Sequence, residues 1–154
     1  PKSTRLRCAP PRAVASCSPM PKPSPPIQKY MTTAPHSIGR DQTLAHAHEV
    51  MRTNVIRHLP VLDGGQLVGM LTHRDLALVE ALRGVDPKTV TVEDAMSTEV
   101  YTVDPDAPLD EVALEMAEKK YGSAVVLSNR KVVGIFTTVD VCRALNELLH
   151  SRLR

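Results

Sequence analysis

The chain has 154 residues and a formal net charge of +2, and 42% of its residues are hydrophobic but only 3% aromatic. This length matches one domain of roughly 100–200 residues and excludes two large independent domains. No apolar run nears the roughly 18 residues that span a bilayer, no secretory leader opens the chain and aromatic rings are scarce, so we expect a soluble protein that does not stack RNA bases.

Residues 1–26 differ in composition from the rest of the chain. They hold eight of the thirteen prolines and five of the nineteen cations, with no acid, and such a segment resists helix formation and cannot bury apolar area. We predict a disordered tail. A basic arm for nucleic acid and a transit peptide are alternatives, although the proline density argues against the amphipathic helix of the latter. A further hypothesis makes Met20 the initiator, which would place residues 1–19 outside the native protein.

Charge and cysteine content indicate the environment of the protein. The remaining fourteen cations and seventeen acids give residues 27–154 a net charge of −3, which argues against a broad nucleic-acid footprint. The three cysteines, Cys8, Cys17 and Cys142, are odd in number and form no CxxC pair. We therefore expect a reduced, cytoplasmic setting.

From Ile27 onward the chain repeats itself. A shift of 65 positions aligns residues 31–80 with residues 96–145 without a gap, and eleven of the fifty positions are identical, where chance would give roughly three. The identities lie at apolar positions and in one polar cluster. We predict two copies of one fold, residues 27–86 and 87–149, followed by a short C-terminal tail at residues 150–154.

Each copy predicts the element order β-α-β-β-α. A short extended piece precedes a helix with apolar residues at a 3.6-residue period, two apolar runs joined by a turn form a hairpin, and a second helix follows. The last helix carries the apolar residues Val141, Leu145, Leu148 and Leu149. The extended pieces are His36–Ile38 and Tyr101–Val103, the hairpin strands are Leu59–Leu62 with Leu67–Leu71 and Ala124–Leu127 with Val132–Phe136, and the second helices begin near Thr72 and Thr137.

The polar cluster that both copies share places Thr and Asp three residues apart where a strand gives way to a helix. These pairs are Thr72 with Asp75 and Thr137 with Asp140. Free amides and the positive end of the helix dipole suit a phosphate at such a junction, and a carboxylate one turn along can accept hydrogen bonds from a ribose. The same spacing is also that of a capping box, which stabilises a helix by roughly 1 kcal/mol without any ligand. The motif leaves both interpretations open.

These residues resemble the cystathionine-β-synthase (CBS) domain family, in which two tandem repeats form a Bateman module. The resemblance covers nearly all of residues 27–149. The strings that carry it are Tyr30-Met31-Thr32, Ile56-Arg57-His58-Leu59-Pro60-Val61, Leu67-Val68-Gly69-Met70-Leu71-Thr72-His73-Arg74-Asp75-Leu76, Ala95-Met96-Ser97, Tyr121-Gly122-Ser123-Ala124-Val125-Val126 and Val132-Val133-Gly134-Ile135-Phe136-Thr137-Thr138-Val139-Asp140.

The resemblance implies an α/β (α+β) module that binds an adenosine-containing effector, such as AMP, ADP, ATP or S-adenosylmethionine, in clefts between the repeats. It implies that each Thr and Asp pair holds phosphate and ribose. It also implies that the backbone of two segments borders the base. The first is Ala34–His36, with Ala34 and His36 as candidate site residues, and the second is Val100–Thr102, with Tyr101 as a candidate.

Basic residues distinguish the two clefts. The first copy offers Arg57 and His58 before its hairpin and Arg74 beside Asp75, whereas the corresponding residues of the second copy are Gly122, Ser123 and Val139. Family members often meet phosphate with the residues just before the second strand. The Asp75 cleft is therefore the favoured site, and the Asp140 cleft is the weaker candidate.

The sequence offers no catalytic or metal-binding pattern. It contains no GxSxG, P-loop or HExxH motif, and His46 and His48 lie two apart, whereas a helical metal pair needs a spacing of three or four. We predict a regulatory module that is not an enzyme, needs no metal or cofactor, forms a homodimer and signals to an unidentified regulated protein. The rival is a dimerisation or interaction scaffold without a ligand, and nucleic-acid binding through the tail is a more distant third.

Overall fold

The computed structural model describes residues 22–153, so the predictions for residues 1–21, including Cys8, Cys17 and Met20, lie outside the described part of the chain. The elements, in chain order, are a 3₁₀ turn Ile27–Lys29, β1 Thr32–Thr33, β2 Ile38–Gly39, α1 Leu44–Asn54, β3 His58–Asp63, β4 Gln66–Thr72, α2 His73–Glu80, α3 Val92–Ala95, β5 Thr102–Val103, α4 Leu109–Lys119, β6 Ser123–Ser128, β7 Lys131–Thr137 and α5 Thr138–Arg152.

The β-α-β-β-α repeat is confirmed. The bounds of α1, β3 and β4 recur 65 positions later in α4, β6 and β7, and both hairpins shift register at the same point, after Val61 and after Val126. In each copy the short first strand runs parallel to the hairpin, β2 with β3 and β5 with β6. The structure adds β1 and the short α3, which the sequence did not predict.

The first helix of each copy begins and ends in the same way. Thr43 caps α1 by accepting a hydrogen bond from the amide of His46 at 3.2 Å, and Pro108 stands at the corresponding position before α4. Both helices end at a left-handed residue, Val55 with φ 54° and Lys120 with φ 58°. The chain then turns sharply into the hairpin, and Lys120 lies at the edge of a cleft.

The two copies exchange their leading segments. β1 pairs with β7 of the second copy, where Thr33 lies opposite Gly134. In the reciprocal contact, Ser97 of the second copy and Met70 of β4 exchange two backbone hydrogen bonds of 2.9 Å. Ile27 is fully buried within the core of the second copy. Neither copy has a complete core without the other, so we expect residues 27–149 to unfold as one unit.

The close approach of these segments explains one pair of identical positions. A Cβ added to Gly69 would collide with the side chain of Met96, and one added to Gly134 would collide with that of Met31. The glycines therefore admit the methionine of the opposite copy against the strand. Gly69, Gly134, Met31 and Met96 are all among the identities of the repeat.

The segment before Ile27 contacts the second copy. The carbonyl of Pro25 accepts a hydrogen bond from the amide of Leu109 at 2.9 Å, and the hydroxyl of Ser24 accepts one from the amide of Asp110 at 3.1 Å. Ser24 thus supplies the side-chain cap that α4 cannot obtain from Pro108. The boundary at residue 26 remains a prediction.

The apolar residues of the last helix form a stripe that the core covers only in part. Val141 and Leu148 pack against the core of the second copy, as an amphipathic helix predicts. Leu145 and Leu149 are instead 56% and 50% exposed. At about 100° per residue, the four positions lie within about 100° of the helix circumference, so they form one stripe with one edge packed on the core and the other edge exposed. No helix within residues 22–153 combines the length and the apolar character needed to cross a membrane.

Candidate functional site

Both Thr and Asp pairs form capping boxes at the start of α2 and α5. The Oδ2 atom of Asp75 accepts hydrogen bonds from the amide of Thr72 at 2.8 Å and from its hydroxyl at 2.7 Å, and the amide of Asp75 donates to Thr72 Oγ1 at 3.2 Å. Asp140 accepts the corresponding bonds from Thr137 at 2.9 and 3.0 Å. The capping role is therefore fulfilled by the protein alone.

A third pair shows that the spacing by itself does not mark a ligand site. Thr91 and Asp94 form the same box at the start of α3, with the amide and hydroxyl of Thr91 at 3.2 and 2.9 Å from Asp94 Oδ2. Asp94 is exposed and does not line the cleft at Asp75. This pair was not predicted from the sequence because it lies outside the 65-residue register. A ligand site is therefore distinguished from a simple cap only by the residues that surround each pair.

A cleft of about 220 Å³ surrounds the first pair, and its walls come from both copies. The first copy provides His58, Met70, Thr72 and Asp75. The second copy provides Ser97, Glu99, Val100, Tyr101, Lys120, Tyr121, Gly122 and Ser123. Grooves of about 310 and 430 Å³ lie elsewhere, beside Gln66 and Arg130 and between α1 and α2. Neither of them contains a Thr and Asp pair, so the smaller cleft is the better candidate.

The two aspartates differ in the use of their second oxygen. Arg143 Nη1 donates to Asp140 Oδ1 at 3.3 Å, and only 4% of the Asp140 side chain is exposed. The residue 65 positions before Arg143 is Leu78, which cannot make this bond. No residue within the described chain donates a hydrogen bond to Asp75 Oδ1. Because no described side-chain oxygen is both fully buried and unpaired, Asp75 Oδ1 keeps contact with solvent.

Two tyrosines stack beside the first pair. The ring centroids of Tyr101 and Tyr121 are 5.1 Å apart, with 25° between the ring planes. Burial raises the pKa of Tyr101, and the negative charge of Glu115 adds to this effect, so its hydroxyl stays protonated at neutral pH. A flat, largely apolar surface of this kind suits a planar base.

The imidazole of His58 enters the cleft from the first copy. Burial lowers the pKa of His58, the positive charge of Arg57 lowers it further, and Asp75 opposes the shift. His58 is therefore uncharged at neutral pH and can donate one hydrogen bond and accept another.

The structure brings some of the predicted site residues together and separates others. Thr72, Asp75, His58 and Tyr101 line one cleft. Six others do not line it, namely Arg57, Arg74, Ala34, His36, Thr137 and Asp140.

These six residues lie in two places. The carbonyl of Arg57 accepts a hydrogen bond at 2.9 Å from the amide of His73, the residue after Thr72. The amide of Ala34 donates to the carbonyl of Val133 in β7 at 3.3 Å. Ala34 therefore lies beside β7, the strand that leads into the second motif, and segment 100–101 borders the first motif. The roles of all ten residues in ligand binding remain predictions.

Four lining residues with side chains suited to ligand contact were not among the predicted site residues: Glu99, Lys120, Tyr121 and Ser123. They lie just before β5 or around the start of β6, and only the packing of the two copies carries them to Asp75. Within residues 22–153, no group of three or more His, Cys, Asp and Glu side chains could hold a metal ion.

Comparison with known proteins identifies related chains. The family model for the CBS domain matches residues 27–81 and 92–147. Hypoxic response protein 1 of Mycobacterium tuberculosis is 35% identical over 111 residues, which cover 71% of this chain and 78% of that protein. The crystal structure of the Vibrio cholerae protein AcuB is similar, with a TM-score of 0.75 and 30% identity over 82% of this chain and 94% of that one.

A further similar structure contains bound ligands. The CBS domain pair of protein MJ0100 was solved in complex with 5′-methylthioadenosine and S-adenosyl-L-methionine. Its TM-score to this chain is 0.74, with 29% identity over 81% of this chain and 98% of that one.

Proposed function

This chain belongs to the CBS domain family, and from that premise we propose that it is a regulatory module that senses an adenosine-containing ligand in the cleft at Asp75. The candidates are AMP, ADP, ATP and S-adenosylmethionine. Occupancy would be passed to a regulated protein in the cytoplasm, and no reaction is assigned to the cleft. The observation that carries the proposal is the open Oδ1 atom of Asp75 in a cleft that also contains Thr72 and two stacked tyrosines.

The cleft matches the parts of an adenosyl group. Asp75 Oδ1 can accept hydrogen bonds from ribose hydroxyls while Oδ2 keeps the capping box intact. The rings of Tyr101 and Tyr121 offer the base a flat surface. His58 and Lys120 are polar groups available to the 5′ substituent. The MJ0100 complex with two adenosyl compounds supports the same ligand class.

The experiment must separate ligand binding from helix capping, because Asp75 performs the second role already. We would titrate AMP, ATP and S-adenosylmethionine calorimetrically into the wild type, Asp75→Ala and Asp94→Ala. Both variants lose a capping box, and each should lose about 1 kcal/mol of stability. Only Asp75→Ala should lose affinity, by about ten- to a hundredfold, because it alone removes a charged acceptor for the ligand. Equal affinity in all three proteins, or no binding by the wild type, would refute the proposed site.

A second candidate function rests on exposed apolar side chains in α5, in α2 and just after α2. Leu145 and Leu149 in α5, Leu78 in α2 and Leu82 after it are each 50–61% exposed, and apolar side chains exposed to this degree can pack against a partner. We propose that these side chains join two copies in a homodimer. Sedimentation of the wild type and of Leu145→Lys with Leu149→Lys tests this, because the charges should produce monomers. A dimer that binds none of the three ligands would favour the scaffold function over the sensor.

A further inference from the structure

Two charged side chains line the Asp75 cleft without being required by the fold. Glu99 lies in the segment before β5, and Lys120 follows the last turn of α4. The residues 65 positions earlier are Ala34 and Val55, which carry no charge. Val55 and Lys120 share the left-handed conformation, with φ of 54° and 58°. The first copy adopts the same fold without charges at these positions, so the fold does not require the charges of Glu99 and Lys120.

The lining charges oppose a ligand with several negative charges. Asp75 and Glu99 are acidic, Lys120 is the one lysine or arginine among the lining residues, and burial keeps His58 neutral. Arg57 lies close enough to lower the pKa of His58, but it does not line the cleft. A triphosphate would place three to four negative charges against two carboxylates with few cations to offset them.

Besides Asp75, the proposed ribose acceptor, the lining offers one acid, Glu99, and one cation, Lys120. A zwitterionic ligand, which carries one group of each charge, matches this pair. We propose that Glu99 and Lys120 select an adenosyl ligand whose 5′ carbon carries an amino-acid tail, in preference to adenine nucleotides. Glu99 binds the ammonium group of the tail and Lys120 binds its carboxylate, while Asp75 holds the ribose. The positive sulfonium of S-adenosylmethionine is also favoured beside two carboxylates. This inference rests on the proposed function, because it assumes an adenosyl group in the same cleft.

A matched pair of thioethers isolates the tail. S-adenosylhomocysteine and 5′-methylthioadenosine share the adenosyl thioether, but only the first carries the amino-acid tail. We would measure both, together with AMP and ATP, by calorimetric titration into the wild type, Glu99→Gln and Lys120→Gln. The exposed neighbours Glu118 and Lys119 lie outside the lining, so Glu118→Gln and Lys119→Gln control for the loss of each charge.

The wild type should bind S-adenosylhomocysteine at least about tenfold more tightly than 5′-methylthioadenosine or ATP, since each ion pair is a charge-assisted bond. Glu99→Gln and Lys120→Gln should each remove most of the advantage of the tail and leave the affinity for 5′-methylthioadenosine within about twofold. The two control variants should match the wild type. Tighter binding of AMP or ATP than of S-adenosylhomocysteine, or equal losses for both thioethers in Glu99→Gln, would overturn the inference alone. Absence of binding for every adenosyl compound would overturn the proposed function as well.

Discussion

The imidazole of His58 occupies the space that a side chain on Gly122 would need. An ideal Cβ on Gly122 would lie 2.8 Å from Nε2 of His58, well inside van der Waals contact. Gly122 immediately precedes β6 of the second copy, and His58 is the first residue of β3 in the first copy. The copies therefore meet at this point through a bare backbone on one side and an imidazole on the other.

Gly122→Ala should push His58 out of the cleft. Gly122 does not have a positive φ, so alanine brings no backbone strain and its methyl group acts on the imidazole alone. We expect His58 to become more exposed and its pKa to rise toward the ordinary value, because burial is the main cause of the present shift. An NMR titration of the imidazole protons measures this. Identical titration curves for wild type and variant would show that the ring is not held by this contact.

Stability should fall as the solution becomes more acidic than the ordinary pKa of histidine. The folded state lowers the pKa of His58 below 6.5, so below that pH the unfolded chain binds a proton that the folded chain resists. The loss begins near pH 6.5 and is complete below the lowered pKa. Denaturant unfolding at pH 7.5 and pH 5 should show a larger loss for the wild type than for His58→Gln. The difference between the two proteins removes the contribution of the carboxylates, and equal losses would contradict the prediction.

The sequence predicted what the repeat itself encodes. The helices and the hairpins follow from periodicity, and the pairs at Thr72 and Thr137 follow from identities within one 65-residue register. Residues close together in the chain determine all of these features. The second wall of the cleft does not follow in this way. Tyr121 and Lys120 lie about 45 residues along the chain from Asp75, and only the exchange of segments between copies makes them neighbours.

The similarity of the two halves does not extend to the surroundings of their aspartates. Alignment treats Asp75 and Asp140 as equivalent, yet Arg143 pairs with one while Leu78 stands at the matching position beside the other. The start of the folded unit was equally hard to place, since proline and serine suggest a tail by composition. In the structure Ser24 acts through a single hydroxyl that caps α4, eighty-six residues away in sequence.

Truncation should reveal where the folded unit begins. Removing residues before Pro23 should leave the unfolding free energy unchanged, whereas removing residues before Ile27 should cost about 1 kcal/mol, because α4 loses the Ser24 cap. Ser24→Ala in the longer protein should reproduce most of that loss. Denaturant unfolding of the three proteins decides the matter. If both truncated proteins are as stable as the full chain, the contact between Ser24 and Asp110 does not contribute to stability.

The pairing of Arg143 with Asp140 predicts one ligand per chain. A ribose at the second junction would have to displace the guanidinium from Oδ1 of a nearly buried carboxylate, and it would find Ala34 and Val55 where the first cleft has Glu99 and Lys120. Calorimetric titration of S-adenosylmethionine should therefore give a stoichiometry near one for the wild type and for Asp140→Ala. Arg143→Leu gives the second junction the residue found in the first, at Leu78, and should raise the stoichiometry toward two. Because the second junction lacks counterparts of Glu99 and Lys120, the second site should appear as a weaker binding step. A stoichiometry of two in the wild type, reduced to one by Asp140→Ala, would show that Arg143 moves aside for the ligand.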